Sequence, residues 1–468
     1  MLFPTTGFLV FFTVVFLVHW SMVDRPRWDK LFLLGASWFF YGCWDPRFLA
    51  LLLWSAGNSW AAGALIDRRH DEAGRRTIVA VSVALHLATL GLFKYYGFFS
   101  EELLALGRAA GVALPLPLLE IVLPVGVSFF TFQGISYVVD VKRRDVAAAG
   151  GPLDVFLYIS FFPHLVAGPI VRAAHFLPQL AGRVPRDRVP LVMAILLVLG
   201  GLFKKTIVAG TLATDLVDPV FRDPTAHGAA DLWLAVYGYA VQIYCDFSAY
   251  SDIAIGVAAL LGFHFPRNFD QPYRARSLAE FWRRWHISLS SFLRDYLYKP
   301  LGGSRRGPRR TMVNLMIVML LGGLWHGAAW TFVLWGALHG AALVAERACG
   351  DGRAAPGGWR GRLRAALVFH VVCAGWVLFR SPSLAVAGDV FAGLFAGGAG
   401  IARATPWLAA LVLLGIALHW LPADWLLRLE RAVARWPIWA LGVAAGLTLV
   451  CLDAAGPDGV APFIYFRF

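Results

Sequence analysis

Residues 315–346 read LMIVMLLGGLWHGAAWTFVLWGALHGAALVAE and carry no charge before the closing Glu346. The full apolar run, 311–346, would be about 54 Å long as one helix, against about 30 Å of hydrocarbon in a bilayer. A stretch this apolar belongs in a membrane, and at this length it fits two crossings if it turns back on itself. Its one imidazole at mid-run, His326, stands between Trp325 and Gly327.

Outward from that run, further apolar stretches recur near residues 7–23, 30–45, 47–66, 77–97, 121–141, 190–217, 231–262, 365–380, 406–422 and 436–453. The chain is 59% hydrophobic and only 15% charged, where soluble domains carry about 25% charged residues. Mean hydropathy is +0.64. These features predict an all-α polytopic integral membrane protein of about 11–12 transmembrane helices, with re-entrant and interfacial amphipathic helices in addition. It reads as a single membrane-embedded domain: N-terminal helices over 1–145, a core over 150–346 and C-terminal helices over 347–468. The first apolar stretch has no basic residue before it and no small-residue cleavage site after it, so it is expected to be a retained span.

The formal net charge of +13 does not point to nucleic acid. The basic residues are bunched between apolar runs, as in cytoplasmic loops: Arg25/Arg27/Lys30, Arg68/Arg69/Arg75/Arg76, Lys142/Arg143/Arg144, Arg183/Arg186/Arg188, residues 267–310, 347–364 and Arg428/Arg431/Arg435. With these inside, the N-terminus is extracytoplasmic, and so is the C-terminus if 311–346 crosses twice. Residues 153–171, LDVFLYISFFPHLVAGPIV, lie between two basic clusters and contain Pro163, Gly168 and Pro169. They must enter and leave on one side, so a re-entrant loop lining a cavity is expected, with His164 at its turn. The five cysteines form no CxxC pair, which indicates neither a disulfide framework nor a metal site.

Residues 281–301, FWRRWHISLSSFLRDYLYKPL, form a basic amphipathic segment. On a continuous helix, Trp282, Trp285, His286, Leu289 and Phe292 share the apolar face, while Arg283, Arg284 and Arg294 take the other. An ionisable ring on the apolar side is either a functional group or a snorkelling one. His326 lies about 24 Å along its run from Arg310, at membrane depth. Gly322, Gly323 and Gly327 leave room beside it for a thin ligand or a neighbouring backbone. A neutral imidazole there suits a general base; the competing reading is a packed ring bonded to a facing hydroxyl. The run 231–262 carries Gln242, Tyr244, Asp246 and Asp252, where carboxylates either serve function or tie helices together. His19, His86, His370 and His419 read as interfacial or packed. Arg274, Arg276, Arg283, Arg284 and Arg305 mark a phosphate-binding surface, for lipid headgroups or for a phosphorylated donor. No nucleotide-binding, hydrolase or metal-ligand motif occurs.

The order of FFPHLVAGPIVR (161–172), QIYCDFSAYSDIAIGVAALLGF (242–263), FPRNFDQPYRARSLAEFWRRWHISLSSFLRDYLYKPLGG (265–303), GGLWHGAAWTFVLWGALHG (322–340) and a closing FIYFRF resembles the membrane-bound O-acyltransferase family. More narrowly it resembles the bacterial alginate O-acetyltransferase branch, and at lower detail the D-alanyl transferases of teichoic acids. The resemblance implies a helical bundle around a central tunnel, open to the cytoplasm for an acyl thioester and to the other face for an acceptor. It implies acetyl-CoA as donor substrate with no permanently bound cofactor, His326 as the essential histidine and His286 at the second signature position. It further implies residence in the bacterial inner membrane and a periplasmic SGNH-type partner that completes transfer to an exopolysaccharide. Trp282, Trp285 and Trp325 would wall the tunnel, with His164, Asp246, Asp252, Gln242 and Tyr244 supporting the site. Arg467 stands where relatives more often have Gln. The other readings are an acyltransferase acting on a lipid, a teichoic-type polymer or a secreted small molecule, and a proton-coupled transporter, against which the lack of repeated halves counts.

Overall fold

The computed structural model describes residues 3–115, 117, 119, 121–182, 189–350, 358–396 and 402–456. The closing FIYFRF with Arg467, and the Arg183/Arg186/Arg188 cluster, lie outside the described residues. Among the described residues every regular element is helical, as the composition predicts.

One compact unit comprises residues 1–190 with 257–265. Its helices are α1 (Thr6–Met22), α2 (Pro26–Gly42), α3 (Leu49–Arg68), α4 (Glu72–Leu90), α5 (Tyr96–Ala109), α6 (Val127–Arg143), α7 (Pro152–Ser160), α8 (Phe162–Leu165) and α9 (Ala173–Ala181). Helix α6 is the core, buried along nearly its whole length. Small residues let its neighbours close in: a methyl on Gly63 would run into the Tyr137 ring, and one on Gly134 into His86 and Ser59. Helix α6 starts at Gly126, whose φ of 77° and contact with the Leu165 carbonyl both require glycine.

The second unit comprises residues 191–256 with 266–468. It holds α10 (Leu191–Phe203), α11 (Asp218–Arg222), most of α12 (Ala229–Leu260), α13 (Leu278–Arg284), α14 (Ile287–Leu293), α15 (Gly307–His326), α16 (Trp330–Ala348), α17 (Gly358–Arg380), α18 (Leu384–Gly393), α19 (Pro406–Ala417), α20 (Trp425–Val433) and α21 (Ile438–Ala455). Six helices among the described residues are long and apolar enough to cross a membrane: Pro46–Arg68, Glu72–Ala109, Leu191–Arg222, Ala229–Leu260, Gly358–Arg380 and Ile438–Ala455. A seventh arises if Pro406–Trp420 and Trp425–Val433, bent by 93°, count as one span. The remaining apolar runs occupy helices that are shorter or more polar, such as Thr6–Met22, so fewer elements meet this criterion than the runs in the sequence.

The run 311–346 does turn back on itself, at residues 327–329 between α15 and α16. Glycines make the two helices interlock. A methyl on Gly323 would meet the Phe332 carbonyl, one on Gly336 the Met319 carbonyl and one on Gly340 the Met316 sulfur. These contacts pair residues of rising number on α16 with residues of falling number on α15, the signature of an antiparallel hairpin. The glycines beside His326 therefore admit a neighbouring backbone, one of the two readings their spacing left open.

Two expectations change in detail. Residues 281–301 are not one amphipathic helix, because the chain breaks at Trp285 and His286, and His286 takes a left-handed backbone with φ 43° and ψ 56°. A single helical wheel across the break therefore misassigns faces. Residues 153–171 fold as two short buried helices separated at Phe161. Neither is long enough to span a bilayer by itself, and His164 is wholly buried among Tyr158, Phe161, Phe176 and Phe265. Its Nε2 donates to the Tyr158 carbonyl at 2.8 Å, so in this structure it is a packed ring and not the lining of an open cavity.

Candidate active site

His286 and His326 both belong to the second unit, and both rings lie against Trp325. The centroid distances are 6.1 Å for His286 and 5.0 Å for His326. His326 ends α15 at the apex of the glycine-locked hairpin, 4% exposed, and also faces Trp335 at 4.9 Å and Phe379 at 5.1 Å. The hairpin thus carries an ionisable ring in among aromatic side chains of α15, α16 and α17.

His286 is fixed from the other direction. Its left-handed backbone is uncommon for a residue with a Cβ and persists only where surroundings hold it. Asn268 does the holding: its carbonyl accepts Ile287 N at 2.9 Å, and its side-chain oxygen accepts Ser288 N at 3.1 Å, Ser288 Oγ at 2.9 Å and His286 Nδ1 at 3.2 Å. The Asn268 amide nitrogen donates to Ser251 Oγ at 3.0 Å, anchoring the arrangement to α12. Because Ser288 N can only donate, the Asn268 atom it meets is the oxygen, and His286 must carry its proton on Nδ1. Nε2 of His286 is then a bare lone pair, buried and without a hydrogen-bond partner in the chain. The arrangement is a ring set in one tautomer with a basic nitrogen left over.

The tryptophans expected as walls pack among other aromatic rings. Trp285 is 2% exposed, stacked on Phe281 at 5.7 Å and against Trp376 at 4.9 Å. Trp282 lies edge-on to Trp335 at 5.6 Å. Helix α13, which carries Trp282 and ends just before Trp285, is pinned to α16 at its start, where the Glu346 carboxylate accepts Leu278 N at 2.9 Å and Ala279 N at 3.0 Å. The Ser277 side chain caps the same turn.

Asp246 and Asp252 of α12 are in ion pairs. Asp246 meets Lys205 Nζ at 2.6 Å with both side chains under 5% exposed, and Asp252 meets Lys204 Nζ at 2.5 Å, which also donates to Ser248 Oγ at 2.9 Å. Both lysines start a wide-turned π-helical segment, Lys204–Gly210, a feature frequent at functional or strained sites. Reading 190–217 as a plain apolar run missed them; two adjacent lysines inside it were the available signal. Tyr244 packs on His419 at 4.3 Å and Tyr273 at 5.9 Å, and Gln242 is buried with its Oε1 lacking a partner in the chain. Asn268 and His339 were also missed, since neither motif nor periodicity marked them. His19, His86, His370 and His419 each bond locally, to Asp29, Ser59, Ala366 and Gly415 respectively.

The arginine group divides. Arg284 bridges Glu280 at 2.9 Å and Asp270 at 3.3 Å, and Arg274 donates to Gln271 at 2.6 Å, so both brace the loop before α13. Arg276, Arg283 and Arg305 are exposed and remain available to an anionic ligand. No group of three potential ligands able to hold a metal occurs among the described residues.

Comparison with known proteins places these features. Residues 127–373 match the membrane-bound O-acyltransferase family. The chain is similar to the probable alginate O-acetylase AlgI of Pseudomonas putida, 40% identical over 414 residues that cover 85% of this chain and 81% of that protein. It is 33% identical to the peptidoglycan O-acetyltransferase of Helicobacter pylori, over 84% of this chain and 77% of that one. Its likeness to the teichoic acid D-alanyltransferase of Streptococcus thermophilus is 30% over 47% of this chain and 56% of that protein.

Proposed function

Since the chain belongs to the membrane-bound O-acyltransferase family, and is therefore a multi-pass membrane enzyme that transfers acyl groups to oxygen, we propose that it O-acetylates an exported polysaccharide of the alginate kind. The donor is an acyl thioester reached from the cytoplasm, acetyl-CoA, and the acceptor hydroxyl lies on the far side of the bacterial inner membrane. A tunnel joins the two faces, and a periplasmic SGNH-type partner passes the acetyl group on to the polymer. The observation that carries this reading is the pair of buried histidines against Trp325, one of them set in a single tautomer by Asn268.

In this mechanism His326 removes the proton from the attacking hydroxyl as its oxygen bonds to the acetyl carbonyl carbon. It then returns that proton to the thiolate that leaves when the C–S bond breaks. His286 Nε2 can only accept, so it orients the donor through an N–H of its amide-bearing arm. Trp282, Trp285 and Trp325 exclude water that would otherwise hydrolyse the thioester. The exposed Arg276, Arg283 and Arg305 bind the donor's phosphates at the cytoplasmic mouth. Asp246 and Asp252 support the site through their lysine partners, which hold α12 in place.

His326→Ala should abolish acetylation of the host's polymer while the protein stays in the membrane at wild-type level; acetylation that persists would overturn the assignment. The 33% identity to a peptidoglycan O-acetyltransferase favours a cell-wall glycan as the second acceptor to assay. Acetyl content of exopolysaccharide and of peptidoglycan, compared with and without this protein, decides between them.

A further inference from the structure

Beside His326 lies a concentration of buried polar atoms to which the mechanism above gives no task. His339 of α16 is fully buried, and neither Nδ1 nor Nε2 has a hydrogen-bond partner in the chain. Its ring faces Trp335 at 4.8 Å and Trp282 at 5.2 Å, and the indole N–H groups of both are likewise buried and without partners. Trp335 in turn faces His326 at 4.9 Å. Most buried polar groups in proteins are satisfied, so several orphans on three contacting residues call for an explanation. Packing does not require them, since phenylalanine or leucine would fill these positions without unmet donors. The contact is nonetheless built closely: a methyl on Gly375 of α17 would come within 2.8 Å of His339 Nε2 and 3.4 Å of Trp335 Cδ1.

The cluster has three donors, two indole N–H groups and one imidazole N–H, against a single lone pair. Such a set suits an oxygen that accumulates negative charge. In the acyl transfer proposed above, on which this inference rests, that oxygen is the acetyl carbonyl oxygen. It becomes an oxyanion when the hydroxyl adds to the carbonyl carbon, and reverts to a carbonyl when the C–S bond breaks. We propose that Trp335, Trp282 and His339 are the hydrogen-bond donors for this oxyanion, with Trp335 nearest the base as the principal one.

The test removes the N–H groups and keeps each position apolar. Trp335→Phe, Trp282→Phe and His339→Leu are each expressed in the host, and two quantities are read: acetyl content of the exported polymer, and the melting temperature of the detergent-solubilised protein. Loss of one oxyanion donor typically slows the chemical step roughly 10²–10³-fold. Trp335→Phe should therefore lose nearly all acetylation, with only the modest fall in melting temperature that the smaller ring causes. His339→Leu should show the same disproportion. Retained acetylation in Trp335→Phe, or an acetylation loss that unfolding at the assay temperature accounts for, overturns the proposal. His326→Ala, assayed alongside, keeps the two readings apart. If it retains acetylation while Trp335→Phe loses it, the base assignment fails and the donor assignment stands; the reverse result rejects the donors alone.

Discussion

Asn268→Ala removes the side chain that sets His286. In the intact protein its amide oxygen accepts Ser288 N at 3.1 Å, Ser288 Oγ at 2.9 Å and His286 Nδ1 at 3.2 Å, and its amide nitrogen donates to Ser251 at 3.0 Å. Truncation leaves three donors without an acceptor. Ser288 Oγ stands 3.4 Å from His286 Nδ1 and can turn to accept from it, and the serine hydroxyls can find other orientations. The Ser288 N–H can only donate and loses its acceptor on Asn268. One lost donor bond and one weakened bond, at about 1–3 kcal/mol for each buried group affected, give an expected loss of about 2–4 kcal/mol. The left-handed backbone of His286 also loses what holds it, so the ring should no longer keep one tautomer. Thermal unfolding of the solubilised protein should shift down by several degrees, and polymer acetylation should fall well beyond what the loss of folded protein explains. If the variant melts and acetylates as wild type does, Asn268 does not fix His286, and the tautomer argument fails with it.

Three further outcomes follow from the packing and the charges. Gly336→Ala should sharply reduce the yield of folded protein, because the added methyl meets the Met319 carbonyl at the centre of the α15–α16 hairpin; normal yield on size-exclusion chromatography would contradict the interlock. Lys205→Met should destabilise by about 3–5 kcal/mol by stripping the ammonium from buried Asp246, and the double variant with Asp246→Leu should recover most of the loss; a thermal-shift cycle over the four proteins measures both. Substituting Arg283 and Arg305 with serine should change melting temperature by little, since both are exposed and such surface changes usually stay within about 0.5 kcal/mol. The same variants should raise the donor KM, most visibly at low salt.

The membrane class was readable because hydrocarbon thickness fixes the length of an apolar run, and 315–346 exceeds it outright. The hairpin was readable only as a possibility: the glycines show that something approaches, and only the fold shows that Phe332 and Met319 carbonyls do. His326 stood out by its depth and its glycines. His339, thirteen residues on in the same run, also has one flanking glycine, but the hairpin sets it back from the apex along α16, and its unmet nitrogens are a tertiary fact. The break at His286 escaped a helical wheel because no proline or glycine marks it. It is imposed by Asn268, eighteen residues upstream, and a non-local side chain overrides local propensity without leaving a pattern. Asp246 and Asp252 were visible as intramembrane carboxylates, and the readings as site groups or as helix ties were both open. Their lysines show that at least the tie is present.

That double tie has a mechanical consequence. Lys204 and Lys205 are adjacent, while Asp252 and Asp246 are six residues apart on α12, about 9 Å along its axis. A single ion pair works like a pivot, about which two rods can still swivel and slide. Two pairs set well apart behave like a pair of dowels: they define both the angle and the axial register of α12 against the lysine-bearing segment. Ser251, next to Asp252, is the residue that receives Asn268. The dowels therefore give the His286 ring a reference point on a rod that can neither turn nor creep, in a bilayer whose thickness and lateral pressure fluctuate continually.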